Sequence, residues 1–308
     1  MDDAGSRRPV VVIANPTAGR GKAGTLIGKV DAILRGLGID HTVRVSESAA
    51  DMERLARAAA DDGAEIVAAL GGDGSVGLVA NGLIGTTAAL AMLPGGTGDD
   101  FAKAVAGTGK LEAAAKLLAV PDIRPIDVVK VTAGAHVRHY VNIAGAGFDS
   151  EVNETANAMT VKLGGTGTYI AAVLKTLQRF VPAHYAIEVD GERLEVDAML
   201  AIVANSQQYG GGMRVCPDAS VIDGQLDICI VEALGKGAFL KAFPRVFRGT
   251  HLSHPKVRSM RGAVVTMEAN RRIQVYADGE RVGPLPAIFE VLPGALRAVV
   301  GPEARAVR

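Results

Sequence analysis

Short, uninterrupted apolar runs alternate with helically spaced apolar positions over the N-terminal part of the chain. The runs are residues 10–14, 65–70 and 88–93, and residues 41–45 alternate apolar and polar. Bounded by polar or glycine-rich stretches, segments of this length read as strands. Leu26, Ile27, Val30, Ile33 and Leu34 trace one face of a helix. Met52, Leu55, Ala56 and Ala59 trace another, with Ser48 placed to cap it. Residues 111–119 continue the series as a helix. This strand–helix alternation predicts a parallel, Rossmann-like α/β domain. Past Pro121 and Pro125 the period changes. Residues 129–131, 137–143, 185–189, 194–202, 226–231, 264–268, 273–276 and 288–292 read as strands, with Asp-Gly turns at 190–191, 223–224 and 278–279. That is the pattern of an antiparallel β-sandwich, interrupted by helices near 169–179 and 237–248. The expected fold class is therefore α/β plus all-β: a domain of residues 1–125, then a β-sandwich domain of residues 126–308, with frayed last residues.

Three of the predicted strands run into glycine-rich loops that open helices. The central one is Gly71-Gly72-Asp73-Gly74-Ser75-Val76-Gly77. Glycines let backbone N–H groups approach a phosphate, and a helix N-terminus favours its negative charge. A carboxylate at Asp73 suits a Mg²⁺ or a nucleotide hydroxyl as its partner; the plainer reading is a tight turn with a solvated Asp. Asn15-Pro16-Thr17-Ala18-Gly19-Arg20-Gly21-Lys22 and Pro94-Gly95-Gly96-Thr97-Gly98-Asp99-Asp100 are the other two loops, with Arg20 and Lys22 as candidate counter-charges. In an open α/β sheet such loops converge on the carboxyl edge, where ligands bind. Neither the dinucleotide fingerprint in the first βα turn nor a Walker A motif is present.

Composition narrows the partners. The 308 residues carry no net charge, 4% aromatics and no Trp, so neither bulk electrostatics nor stacking platforms point to nucleic acid. Cys216 and Cys229 lack metal-ligand spacing and read as thiols of a reducing compartment. No leader or membrane span stands out, so a soluble, cytoplasmic protein is expected. The six histidines form no evident set, and His251 and His254 read as ordinary surface or loop residues. Lys241, Arg245, Arg248, Lys256, Arg258 and Arg261, interleaved with Phe239, Phe243 and Phe247, form a basic, apolar segment. It reads as an amphipathic helix packed on the sandwich with its cations reaching out, or as a surface for an anionic bilayer. The tetrapeptide Asp-Gly-Glu-Arg occurs twice, at 190–193 and 278–281. Both copies suit a hairpin turn, but only the second runs into the irregular Gly283-Pro284-Leu285-Pro286.

Taken in order, Asn15–Gly19, Gly71–Ser75 with Asn81-Gly82-Leu83, Pro94–Ala102, Asn142–Asp149, Asp223-Gly224 and Asp278-Gly279-Glu280 resemble the motifs of the soluble bacterial diacylglycerol kinase family, related to sphingosine and ceramide kinases. The likeness spans nearly the whole chain. It implies ATP bound in the cleft between the two domains and transfer of its γ-phosphate to a lipid hydroxyl at the membrane surface. It carries nucleotide contacts to Asn15, Pro16, Thr17, Ala18, Gly19, Ser46, Gly71, Gly72, Asp73, Gly74, Ser75, Val76, Gly77 and Thr97. Glu280 matches the family's general base, with Asp73 as the second catalytic residue. Ser220, Asp223 and Gln225 match a Mg²⁺ site, with Asp127 tied to it through water. Peripheral contact with the inner membrane face and a homodimer are compatible with the likeness.

The chain departs from the family pattern at Gly77 and Leu78, where Asn and Glu are usual, at Asp99 in place of Asn, and at Ser75 in place of Thr. The first two replace polar side chains, and Asp99 adds negative charge where phosphates are expected. Two further readings follow: a catalytically weakened nucleotide-binding or regulatory protein, and a kinase of a soluble metabolite such as NAD.

Overall fold

The computed structural model describes residues 9–16, 22–159 and 165–307. Contacts divide the chain into two units, residues 1–128 with 293–308, and residues 129–292.

The first unit is built on a parallel sheet. Strand β1 (Val10–Ala14) is followed by helix α1 (Lys22–Gly36), β2 (His41–Val45), α2 (Ala49–Asp61), β3 (Ile66–Gly71), α3 (Asp73–Leu83), β4 (Ala89–Pro94) and α4 (Leu111–Lys116). β1 lies between β2 and β3, and β3 pairs in turn with β4, all parallel. The three inner strands are fully buried, which is why they read as unbroken apolar runs. β2 lies at the edge and is more exposed, so it alternates. Leu34, Leu70, Leu93 and Val299 meet in one core on this sheet. The predicted cap is present: the Asp51 N–H donates to Ser48 Oγ at 3.2 Å.

The second unit is largely antiparallel. The chain enters it along β5 (Asp122–Ala133), then forms β6 (His136–Tyr140), β7 (Ile143–Gly147), α5 (Phe148–Ala158), α6 (Gly165–Arg179), β8 (Ala183–Val189), β9 (Glu192–Ala204) and β10 (Leu226–Glu232). Helix α7 (Lys236–Ala242) and two 3-10 turns lead to β11 (Val257–Gly262), β12 (Val264–Ala269), β13 (Gln274–Ala277), β14 (Glu280–Pro284) and β15 (Ala287–Val300). β9 is the hub, pairing with β8 along its first half and with β7 and β10 along its second. One core fills the sandwich, including Tyr140, Tyr185, Val203, Ile228 and Phe289. A second gathers where Phe148, Val173, Leu177 and Phe239 of the helices meet the sheet.

Four expectations change. The strand expected over 137–143 is two strands, because the backbone turns at Val141 and Asn142 to donate to Asp278. The mostly polar α5 had no apolar stripe to reveal it. The helix expected over 237–248 gives way to a 3-10 turn at Phe243, with Pro244 in its first turn. The described end of the chain, residues 301–307, is packed and belongs to the first unit, not to the sandwich. Arg297 and Ala298 of β15 pair in parallel with β4, and Ala304 and Ala306 are buried in the first unit. Backbone bonds tie Gly301 to Val105 and Arg305 to Ala104.

Candidate functional site

Two glycine pairs bring two of the predicted loops together. Gly71 ends β3 and Gly72 caps α3, while Gly95 and Gly96 follow β4. Gly95 N–H donates to the Gly71 carbonyl at 2.9 Å. A Cβ on Gly96 would sit 2.5 Å from Gly72 Cα, and one on Gly72 would sit 3.2 Å from Gly96 Cα. The loops therefore touch backbone to backbone, a contact that no side chain at Gly96 allows. No side chain caps the N-terminus of α3. Its first N–H groups point out of the helix without intrahelical acceptors, and together with the dipole they form an anion-favouring end.

Asp73 is the first residue of α3 and joins the loops from the side. Its Oδ1 accepts from the Phe101 N–H at 2.9 Å. Burial pushes its carboxyl up to about 6; the Phe101 N–H opposes the rise, and the charge of Asp100 adds to it. Asp99 takes a left-handed backbone, φ 52°, and its Oδ1 accepts from the Gly96 N–H at 3.0 Å. An Asn could adopt the same backbone and make the same bond, so Asp99 keeps the local job of the residue it replaces. Asp100 is fully buried with Lys103 Nζ at 3.7 Å. Of the remaining loop residues, Gly74 is partly exposed, and Ser75, Val76 and Gly77 are buried within α3. Thr97 is exposed.

Asn15 and Pro16 follow β1, and the Asn15 N–H donates to the Leu70 carbonyl at 3.4 Å, beside the same strand end. Ser46 is buried at the end of β2, where its hydroxyl donates to the Ala14 carbonyl at 3.2 Å. Thr17, Ala18, Gly19 and Arg20 lie outside the described residues. The described loop residues of the first unit thus cluster on the carboxyl edge of the sheet.

In the second unit, both Asp-Gly-Glu-Arg copies are hairpin turns with Asp and Gly at positive φ: 49° and 91° for Asp190 and Gly191, 48° and 84° for Asp278 and Gly279. Each Asp is fastened to backbone elsewhere. Asp190 accepts from Ala263 and Val264, and Asp278 accepts from Val141, Asn142 and Ile143. Glu192 and Glu280 each begin a strand and are exposed. The tetrapeptide therefore specifies a turn in both places.

In the predicted Mg²⁺ set, expected to use the Asp223 carboxylate with Ser220 and Gln225 carbonyls, Asp223 is engaged by the protein itself. Asp223 Oδ2 accepts from Arg261 at 2.5 Å and Oδ1 from the Gln225 N–H at 3.0 Å, so its charge is already met. Ser220 is buried, and Gln225 bonds through Nε2 to the Gly224 carbonyl. Asp127 is buried in the first unit, where Oδ1 accepts from the Gly294 N–H at 2.9 Å. Among the described residues no three His, Cys, Asp or Glu side chains gather as a metal site.

The residue reading passed over Asp149. It begins α5 almost fully buried, burial pushes its carboxyl up to about 7, and Oδ1 has no partner among the described residues. A Cβ on Gly145 would lie within 2.8 Å of its Cγ, so glycine there makes room for the carboxyl. Asp149 stands on the wall of a largely apolar cavity of about 720 Å³, counting its open mouth, with Phe148, Leu200, Phe239 and Phe243 around it. The one signal for it is the Gly-Phe-Asp end of the 142–149 motif. His251, expected at the surface, is buried on the same wall, and Nε2 donates to the Val215 carbonyl at 3.0 Å. Burial holds its pKa below the usual range.

Comparison with known proteins bears on the family and the fold. Residues 9–131 match the diacylglycerol kinase catalytic domain, and residues 142–300 match the YegS C-terminal NAD kinase beta sandwich-like domain. A diacylglycerol kinase of Mycobacterium tuberculosis (strain ATCC 25618 / H37Rv) is 34% identical over 293 residues, covering 94% of each chain. One of Bacillus subtilis (strain 168) is 27% identical over 281 residues, covering 90% of this chain and 91% of its own. A crystal structure of a diacylglycerol kinase from Bacillus anthracis str. Sterne shares the fold with a TM-score of 0.74 at 24% identity, covering 96% of this chain and 98% of that one. With paired glycine loops, an α/β unit, a sandwich unit and relatives over nearly its full length, the chain belongs to the diacylglycerol kinase family of lipid kinases.

Proposed function

We propose that the chain transfers the γ-phosphate of ATP to a hydroxyl of a membrane lipid, diacylglycerol or a close analogue. The observation that carries this reading is the backbone contact between Gly72 and Gly96 with Asp73 alongside. A cradle without Cβ atoms at the uncapped end of α3 suits a polyphosphate. Family membership implies ATP as the donor.

Phosphoryl transfer asks the protein mainly for positioning, charge compensation and a proton acceptor. The loops at Gly71–Gly77 and Gly95–Thr97 hold the phosphates through backbone N–H groups, with Asn15, Pro16 and Ser46 at the neighbouring strand ends. Asp73, ionised at neutral pH, orders this arrangement. The acceptor's hydroxyl oxygen forms the new bond to the γ-phosphorus as the bond to the β–γ bridging oxygen breaks, and the hydroxyl proton passes to Glu280. Mg²⁺ bound together with ATP would neutralise phosphate charge, and the Asp223 set is not assigned to that ion. Use of ATP on a membrane lipid is consistent with work at the inner, cytoplasmic face of the membrane.

The test is a transfer assay with γ-labelled ATP and Mg²⁺, offered total lipid extract, NAD or no acceptor. Label in the organic phase is the expected result. Label on NAD would favour the soluble-metabolite kinase, and ATP binding without transfer would favour a weakened, regulatory member.

A further inference from the structure

Between Glu232 and Glu268 the chain has no acidic residue and seven cations: Lys236, Lys241, Arg245, Arg248, Lys256, Arg258 and Arg261. In a chain with no net charge this is a marked local excess. Three of the seven are neutralised. Lys256 and Arg258 pair with Glu232, and Arg261 pairs with Asp223 and Asp227. The other four lie on α7 and the 3-10 turn after it, and none has a carboxylate partner among the described residues. Lys236 donates to the Gln178 carbonyl at the end of α6, and Arg245 to Thr250 and Ser253.

The same segment has two apolar faces. Phe239, Phe243 and Val246 line the apolar cavity, which anchors the segment to the unit. Leu240 and Phe247 point the other way and are 41% and 46% exposed. Helix α6, whose Gln178 carbonyl accepts from Lys236, also exposes apolar side chains. Ile170 and Leu174, one turn apart on α6, and Val181 just beyond it are 50%, 45% and 66% exposed. Packing explains the inner face. It leaves large apolar side chains in water beside unpaired cations on the outer face, which is the pattern of an interfacial helix and not of a solvated one.

We infer that α7 and the following turn, residues 236–248, dock the chain on an anionic bilayer, with Leu240 and Phe247 inserted among the acyl chains and Lys241, Arg245 and Arg248 against lipid phosphates. The surface that meets the bilayer is then the outer wall of the apolar cavity. A bilayer fits better than an acidic protein because the cations are spread along the segment with apolar anchors between them. This arrangement needs a fluid, extended negative surface more than a set of fixed partners. The inference concerns where the chain sits and does not depend on which hydroxyl it phosphorylates.

The test uses the full chain without ATP or acceptor, so it reads docking alone. Binding is measured by sedimentation with vesicles of phosphatidylcholine, and with vesicles of phosphatidylcholine mixed with phosphatidylglycerol. The expected result is binding to the mixed vesicles only. At about fivefold in affinity per cation, Lys241→Ala with Arg248→Ala should weaken it roughly 25-fold. Lys110→Ala with Lys116→Ala, exposed lysines of the first unit, should leave it unchanged. Because the chain has no Trp, Phe247→Trp places a single indole at the proposed anchor. Its emission should shift to the blue with mixed vesicles and stay put with phosphatidylcholine alone. Equal binding to both vesicle types, no loss in the α7 pair, equal loss in the control pair, or an indole that stays in water would each overturn the inference.

Discussion

Asp73 is a largely enclosed carboxylate at the loop cluster, and the role proposed for it can be tested through its titration. Its pKa of about 6 lies above the ordinary value of 3.8, chiefly through burial. Between about pH 4 and 6 the native state therefore holds more protons than the unfolded one, and stability falls as pH rises through that window before levelling. Asp73→Asn cannot ionise and loses this slope. Its melting temperature relative to wild type should climb from pH 4 to 6 and then stay constant, while lipid transfer is abolished. Calorimetry across that range and a turnover assay check the two halves, and a folded variant with near-normal turnover would remove Asp73 from the mechanism. The twin turns supply an internal control for the proposed base, Glu280. Glu280→Gln should lower kcat by roughly 10²–10⁴-fold with ATP affinity little changed, and Glu192→Gln should be nearly silent. Equal losses at the two sites in a paired turnover and ATP-binding measurement would reject Glu280 as the proton acceptor.

Among elements, the contact between the β3 and β4 loops is the feature most sensitive to a single methyl group. Gly96→Ala places a Cβ 2.5 Å from Gly72 Cα, where the neighbour is backbone and has no rotamer to yield. The expected cost is about 1–3 kcal/mol of stability, with transfer lost as the loops are forced apart. Gly28 in α1 is the control, since a Cβ there meets nothing within 4 Å. Gly28→Ala should gain about 0.5–1 kcal/mol from its helical position. Urea midpoints of the two variants should move in opposite directions, and a neutral Gly96→Ala would show that the loops are not in tight contact. The pairing of these loops was legible only as two separate Gly-Gly motifs. Sequence spacing cannot show that Gly72 faces Gly96, because the contact crosses between neighbouring strands.

On the scale of the whole molecule, the chain leaves the first unit along β5 and returns along β15. The return adds a parallel strand beside β4 and buries Ala304 and Ala306 against the segment at Ala104–Ala106. Gly301 fits there without a side chain: a Cβ would lie 2.0 Å from the Ala106 carbonyl oxygen. A chain ending at Val300 should melt at a clearly lower temperature, because it exposes this surface and unpairs the Val105 and Ala104 carbonyls. Unchanged melting would return the last residues to the frayed end expected from the sequence.

What the sequence determined by itself is whatever depends on short-range pattern. Buried parallel strands read as apolar runs, Ser48 as a cap, the two Asp-Gly-Glu-Arg copies as turns, and the order of the glycine motifs as a lipid kinase. Tertiary structure decided what depends on distant partners. It gave Asp223 to Arg261, fastened Asp278 to residues 141–143 and so divided a strand, and set Asp149 and His251 on the wall of an apolar cavity. It also carried the last residues back to the first unit. The physical reason is the same in each case. A carboxylate takes its charge state and its work from the donors and the burial around it, and those are supplied by residues remote in the chain.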